Sequence, residues 1–422
     1  MFRGKALGGG SRINGMGYTR SCAADFNRWS DSGRKGWSYT EVEPFFKASE
    51  GHLGGIVPKS HGADGPWKTR VLDKLCLKST VRCAAAIESL GLKIIDDANT
   101  PNAPAVTCVK LQLTLDESAR RCSTFDAFLP RQIALDRRTH LKICTGTVAT
   151  SLHVVQGRVM GVSFFEEKAD PRRTFYARAR KEVVVCCGAI GTPQVLILGG
   201  IGPKAHLEEL GIPVVKDLPG VGSNLQDHFD VSAMYSIPPK DSFHDIRDRP
   251  LRALQEFIKY LDVSPTESLS PADPANPDST SPDNIPQFEI MPIAFNTTDS
   301  ELPTGTGVFS FLSVLLRPES SGSVRLRSTD PLEPPKCELN SLTDPASADR
   351  AVMRTAVRVS RRIAERMRED GYRMGICVFR RATMTQPWTL SSIRVIARQC
   401  IIAQRVAWRL RTTRALGWWT IG

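Results

Sequence analysis

A chain of 422 residues, 41% hydrophobic and 24% charged, has room for two or three domains and a large core. Its net charge of +12 does not mark a nucleic-acid surface, because residues 373–422 hold nine arginines and no lysine or acidic residue, which leaves +3 for the first 372. No apolar run approaches the ~18 residues of a membrane span and no charged-then-apolar leader opens the chain, so neither a span nor a signal peptide is expected and the cytoplasm is the default.

The first predicted element is a glycine-rich stretch, Arg3-Gly4-Lys5-Ala6-Leu7-Gly8-Gly9-Gly10-Ser11-Arg12-Ile13-Asn14-Gly15-Met16-Gly17. Consecutive glycines lack the Cβ that keeps a ligand off the backbone, so such a loop can meet something flat or anionic closely. The pattern alone also suits a plain surface turn. A dense aromatic and polar run follows, from Tyr18 through Trp29 to Tyr39. A short helix is predicted over 41–49, then a loop rich in glycine and proline. A second helix spans 72–90, ended by Gly91, with Leu75, Val81, Ala85 and Leu90 as its packing face. Arg120–Pro130 precedes a helix or turn. Strands follow at 141–144, 147–148 and 158–165, which a simple hairpin would satisfy.

Glu182-Val183-Val184-Val185-Cys186-Cys187 reads as a strand of a parallel sheet covered on both faces, with its two cysteines as buried free thiols. The eleven cysteines include no CxxC pair, so no metal site is expected. Gly188–Gly191 is a tight turn. Thr192 then caps a helix over 194–198 with Pro193 in its first turn, and strand, turn and helix N-terminus together face an anion. Residues 264–286, with five serines and six prolines, read as a mobile loop. β-runs are predicted at 287–292, 307–316 and 322–327. Met353, Ala356, Val357, Ser360, Ile363, Ala364 and Met367 then share one face of a helix whose arginines are its solvated side.

Two of these stretches resemble the signatures of the glucose-methanol-choline (GMC) flavin oxidoreductases. Gly4-Lys5-x-Leu7-Gly8-Gly9-Gly10-Ser11-x-Ile13-Asn14, with Tyr18 after it, is similar to the first, although Ser21 stands where glycine, alanine or proline is usual. Gly188–Gln194 through Pro203 is similar to the second, with Gly199 in place of serine. Leu218–His228 and Arg317–Pro331 resemble two further family segments. The resemblance covers about residues 2–370. It implies an α/β (mixed α+β) fold with an FAD/NAD(P)-binding-like domain over 1–230 and an antiparallel-sheet substrate domain over 231–345, followed by a helix over 346–372 and an atypical basic tail over 373–422. It implies FAD as cofactor, with Leu7, Gly9, Asn14, Gly15, Met16, Gly17 and Val148 as flavin contacts. A small-molecule alcohol is the implied partner, oxidised to a carbonyl by hydride transfer to the flavin. His228 reads as structural and not as a base.

Two family features are not found. The opening βαβ unit that cradles the FAD pyrophosphate is lacking, which suggests that Met1 is an internal methionine or a mispredicted start. The C-terminal histidine that acts as general base, with its second histidine or asparagine, is also missing, since no histidine follows His244. The chain is therefore expected to bind FAD poorly and to turn over nothing. When the third base of each codon is joined to the next two, Cys400–Arg409 can yield the family's H-x-x-A-T-C-R-M-A, and Gly417–Ile421 its V-V-D-N, in the same register. The expectation is a changed reading frame between about Tyr372 and Gln399. The rival is a catalytically dead binding or membrane-surface protein. In that reading Ile393, Ile396, Ala397, Cys400, Ile401, Gln404 and Trp408 form the apolar face of a basic amphipathic helix.

Overall fold

The computed structural model describes residues 3–54, 57–71, 77–101, 103–169, 171, 173–249, 285–297 and 305–376. The predicted loop 264–286, except its last two residues, and the tail beyond 376 with its expected frame change and amphipathic helix lie outside them. Two compact units emerge. One comprises Met1–Asp136, Asp230–Leu316 and Met353–Gly422, the other Arg137–Phe229 and Arg317–Val352. The fold is mixed α/β with mostly antiparallel sheets.

The first unit opens with the glycine loop, then helices α1 (Ala23–Asp31) and α2 (Tyr39–Ser49). Ser38 and Glu41 form a reciprocal capping box at the start of α2, which satisfies two donors that every helix start leaves open. Strands β1 (Glu50–His52) and β2 (Trp67–Val71) pair in parallel, Glu50 opposite Trp67. The loop between them is tight: a Cβ on Gly62 would strike the Lys47 carbonyl, and one on Gly65 the Glu50 backbone. Helix α3 (Lys78–Ser89) follows, then the short parallel pair β3 (Ile94–Ile95) and β4 (Cys108–Val109). Strand β5 (Gln112–Leu113) pairs antiparallel with β2. Helices α4 (Thr124–Phe128) and α5 (Arg131–Asp136) close this stretch.

Helix α3 ends at Gly91 as predicted, but it packs on another face. Ser79, Cys83, Ala86 and Ile87 are buried, whereas Val81 and Ala85 are exposed. Three consecutive alanines blur the apolar period, so the sequence leaves the phase of the helix open.

In the second unit, β6 (Thr147–Val155), β7 (Arg158–Glu166) and β8 (Thr174–Arg178) form an antiparallel meander. Residues 141–144 are not a strand. Nor are 182–187: this run lies outside every sheet among the described residues, Val184 is 73% exposed, and both Cys186 and Cys187 are exposed. A buried strand needs partners on its edges and cover on both faces. None of the described strands runs alongside this segment. Helix α6 (Gly188–Leu198) starts earlier than predicted and carries Pro193 inside it. The unit continues with β9 (Ile201–Gly202), α7 (Lys204–Glu209), β10 (Lys216–Asp217) and β11 (Ser223–Leu225).

The chain then re-enters the first unit as β12 (Asp230–Ile237), α8 (His244–Asp248), β13 (Phe288–Ile293) and β14 (Gly307–Leu315). Strands β13, β14 and β12 are neighbours in one antiparallel sheet, with Asp230 opposite Val314 and Phe288 opposite Leu315. All nine residues of β14 are buried, as a central strand requires. Back in the second unit, β15 (Gly322–Arg325) joins β11 on one edge and β16 (Lys336–Glu338) on the other. The Arg317–Pro331 motif gains a physical reason here. Buried Asp349 accepts the N–H groups of Glu319 and Ser320 at 2.8 and 3.0 Å, and a Cβ on Gly322 would strike the Glu338 carbonyl. Helix α9 (Ala348–Glu369) runs on into the first unit, buries Met353, Ala356, Ser360, Ile363, Ala364 and Met367 as its period predicts, and leads to β17 (Gly375–Ile376) on the free edge of β12. Phe309, Phe311, Tyr235, Ile363 and Met367 form the main core together with Cys83 and Ile87 of α3.

Candidate functional site

Glycine sets the conformation of the opening loop. Gly8 has φ 91° and Gly9 φ 51°, in the left-handed region, and Gly9–Arg12 form one 3-10 turn. Gly4 packs so closely that a Cβ would collide with the Gly9 carbonyl. Ser11 Oγ donates to the Gly8 carbonyl at 2.6 Å and accepts the Thr124 N–H at 3.0 Å, which ties the loop to the start of α4. Arg12 pairs with Asp126 at 3.2 Å. Arg121 donates to Asn14 Oδ1 at 2.7 Å, and that oxygen also accepts the Met16 N–H at 3.2 Å. Asn14 thus uses its carbonyl oxygen to shape the loop. Around Gly9, Gly10 and Gly15 the space is open, with no atom within 4 Å of where a Cβ would stand. Leu7, Gly9, Asn14, Gly15, Met16 and Gly17 therefore share one accessible stretch of the first unit. Val148 belongs to the second unit, on β6 opposite Phe165.

Beyond Gly17 the chain turns inward as a strap. The Thr114 N–H donates to the Met16 carbonyl and the Tyr18 N–H to the Gln112 carbonyl, both at 2.8 Å. The Arg20 N–H donates to Asn99 Oδ1 at 2.6 Å. Under the strap lies a buried charge network. Glu50, fully buried, accepts from Arg20 Nη2 at 2.5 Å, Thr69 Oγ1 at 2.7 Å and Gln112 Nε2 at 3.0 Å. His61 Nδ1 donates to Glu50 Oε2 at 2.8 Å and its Nε2 to Asp97 Oδ2 at 2.9 Å. Burial disfavours charge on His61, but its bonds to Asp97 and Glu50 outweigh this and raise its pKa to about 9. Burial likewise opposes charge on Glu50 and Asp97, yet His61 draws both below the usual carboxylate range. Burial, then the His61 charge, lowers the pKa of His52.

Glu50, His52 and His61 bring ligand-type atoms within 4.8 Å of one another. The donor chemistry does not suit a cation: both His61 nitrogens carry protons given to carboxylates, and the Glu50 oxygens are already saturated. None of these residues was singled out from sequence. The network they belong to runs from Arg20 to Gln112, about ninety positions, and the only local signal is the tight spacing His61-Gly62-x-x-Gly65-Pro66.

The second unit holds a cleft of about 470 Å³ between α6, through Ala189, Thr192 and Leu196, and residues 221–226 with Val324. The second family-like segment therefore lines a cavity, although its expected N-cap Thr192 lies inside the helix. His228 is exposed beside this region. Among the described residues, no helix is long and apolar enough to cross a membrane.

A sequence model of the GMC oxidoreductases matches residues 1–230 and a second matches 318–400, past the point where the motif resemblance ended. The oxygen-dependent choline dehydrogenase of Vibrio vulnificus is 32% identical over 376 residues, 88% of this chain, and the chain spans 64% of that relative's length. Among solved structures, pyridoxine 4-oxidase from Mesorbium loti matches with a TM-score of 0.71 at 24% identity, over 94% of this chain and 72% of its own. An FAD-dependent oxidoreductase from Chaetomium thermophilum matches with a TM-score of 0.74 at 21% identity, over 94% and 75%.

Proposed function

The chain belongs to the GMC oxidoreductase family, and from that premise we propose that it binds FAD for the oxidation of an alcohol to a carbonyl. The observation that carries this reading is the open surface over Gly9, Gly10 and Gly15 on a loop whose other contacts are all internal. A planar ligand can approach the backbone there, because no atom lies within 4 Å of where a Cβ would stand on these glycines. Bound FAD would supply the redox chemistry, taking two electrons and a hydrogen from the carbinol carbon as hydride. The chain's own part is to hold and orient: this reading assigns that to Leu7, Gly9 and residues 14–17 of the first unit and, by the family resemblance alone, to Val148 of the second. Choline is the alcohol named for the Vibrio relative and is the first substrate to test.

We further infer that the chain alone does not turn over. The family resemblance assigns the hydroxyl proton to a C-terminal histidine, and residues 245–422 contain none. The test is to titrate purified protein with FAD, follow the flavin spectrum, and then add choline and simple primary alcohols without oxygen. Weakly bound flavin that no alcohol bleaches is expected. Protein that never perturbs the flavin spectrum would sink the binding reading, and bleaching by any alcohol would sink the inactivity.

A further inference from the structure

We propose that the buried network centred on Glu50 is a positioning device for the flavin-facing loop: His61, clamped between Glu50 and Asp97, fixes the strap Met16–Arg20, and losing its proton frees the strap and weakens cofactor binding. The second clause rests on the FAD reading above. The first rests on geometry alone. Apart from the Thr114 N–H bond to the Met16 carbonyl, the hydrogen bonds that hold the strap lead into the network. Gln112, whose carbonyl accepts from the Tyr18 N–H, gives its side-chain amide to Glu50. Asn99 accepts the Arg20 N–H, donates to the Tyr18 carbonyl at 3.1 Å and donates to Gln112 Oε1 at 2.7 Å. The Arg20 side chain reaches Glu50 and the Ser60 carbonyl, the latter at 2.6 Å.

The charges facing His61 are Glu50 and Asp97 as anions and Arg20 as the second cation, with His52, Tyr18 and Tyr39 uncharged around them. Two cations balance two anions only while His61 is protonated. Without that proton one carboxylate faces a ring nitrogen with no hydrogen to offer, and an unpaired charge stays in a buried site. The least costly relief is movement of the partner best able to leave. That is Asp97, which is partly exposed, whereas Arg20 is the one cation left and Glu50 is gripped by β2 and β5. Asp97 Oδ1 accepts the Asn99 N–H at 2.7 Å, and Asn99 holds the Arg20 N–H and the Tyr18 carbonyl, so when Asp97 leaves, the strap loosens. Residues 14–17 are continuous with the strap and would lose their fixed presentation.

The experiment is hydrogen exchange read by mass spectrometry on peptides spanning residues 14–20, with β14 as reference, in wild type, His61→Gln and Asp97→Asn. FAD affinity is measured in parallel. In wild type, protection of 14–20 relative to β14 should fall about tenfold between about pH 7 and about pH 10, and FAD affinity should fall with it. In His61→Gln both should be low throughout and insensitive to pH. Asp97 is partly exposed, so Asp97→Asn provides a folded variant with one carboxylate removed, and it should shift the wild-type transition to lower pH. Unchanged protection of 14–20 in both variants, or a wild-type fall shared equally by β14, overturns the positioning role whether or not FAD binds. A strap that responds as stated in protein that never binds FAD supports the device and rejects only the cofactor reading.

Discussion

Gly4 and Gly10 sit in the same loop and do different work. A side chain at Gly4 meets backbone, so Gly4→Ala should destabilise the protein by roughly 1–3 kcal/mol, seen as a lower melting temperature. A side chain at Gly10 meets nothing, so Gly10→Leu should leave the melting temperature nearly unchanged while weakening FAD binding at least tenfold. If Gly10→Leu binds FAD as wild type does, the open surface is not the flavin face. His61 supplies the pH-dependent counterpart. Its folded pKa is raised from 6.5 to about 9, so its stabilisation is complete below about 6.5 and lost as pH climbs through about 9. Glu50 and Asp97 are shifted down, so their share is present above their unfolded values and lost in acid. Thermal melts across pH should therefore show a plateau that falls away on the alkaline side in wild type and not in His61→Gln. The glycines were legible in sequence because their conformational need is local. The network was not, because Arg20, Glu50, His61, Asp97 and Gln112 meet only after folding.

Elements whose pattern matched their surroundings were legible. Helix α9 has an unbroken apolar stripe against a charged remainder, and β14 is bounded by glycine and proline, so both were found within three residues at either end. Met367 on α9 is 1% exposed, and Met367→Ala should cost about 2–5 kcal/mol in chemical denaturation. Where the pattern failed, neighbours decided. Helix α3 buries Cys83 and leaves Val81 out, and the apolar run at 182–187 stays in solvent because no described strand takes it in. Thiol labelling of the native protein checks both at once. Cys144, Cys186 and Cys187 should react quickly with an alkylating reagent, whereas Cys83, buried and with its pKa raised by burial, should react only on unfolding. Protection of Cys186 and Cys187 in the native protein would mean that this segment is covered.

For the molecule as a whole, the motif resemblance led to the fold class and family, because its glycine-rich segments are contiguous in sequence. They did not show that each compact unit is stitched from separated stretches. The core under α3 needs Phe309 and Phe311 from β14 and Met367 from α9. A fragment ending at Asp136 should therefore lack a cooperative thermal transition, measurable by circular dichroism, although it contains the whole glycine loop.

That stitching also governs how the chain can be recombined with its relatives. The backbone passes between the two units at residues 136–137, 229–230, 316–317 and 352–353. Within the second unit, Arg325 donates to the Gly222 carbonyl at 2.6 Å and to Ser223 Oγ at 2.9 Å, across the pairing of Ser223 with Ser323. A chimaera that imports 137–229 from a related oxidoreductase and keeps the native 317–352 joins halves selected against different partners. The exchangeable cassette is the pair of segments together, and a single crossover point cannot deliver it.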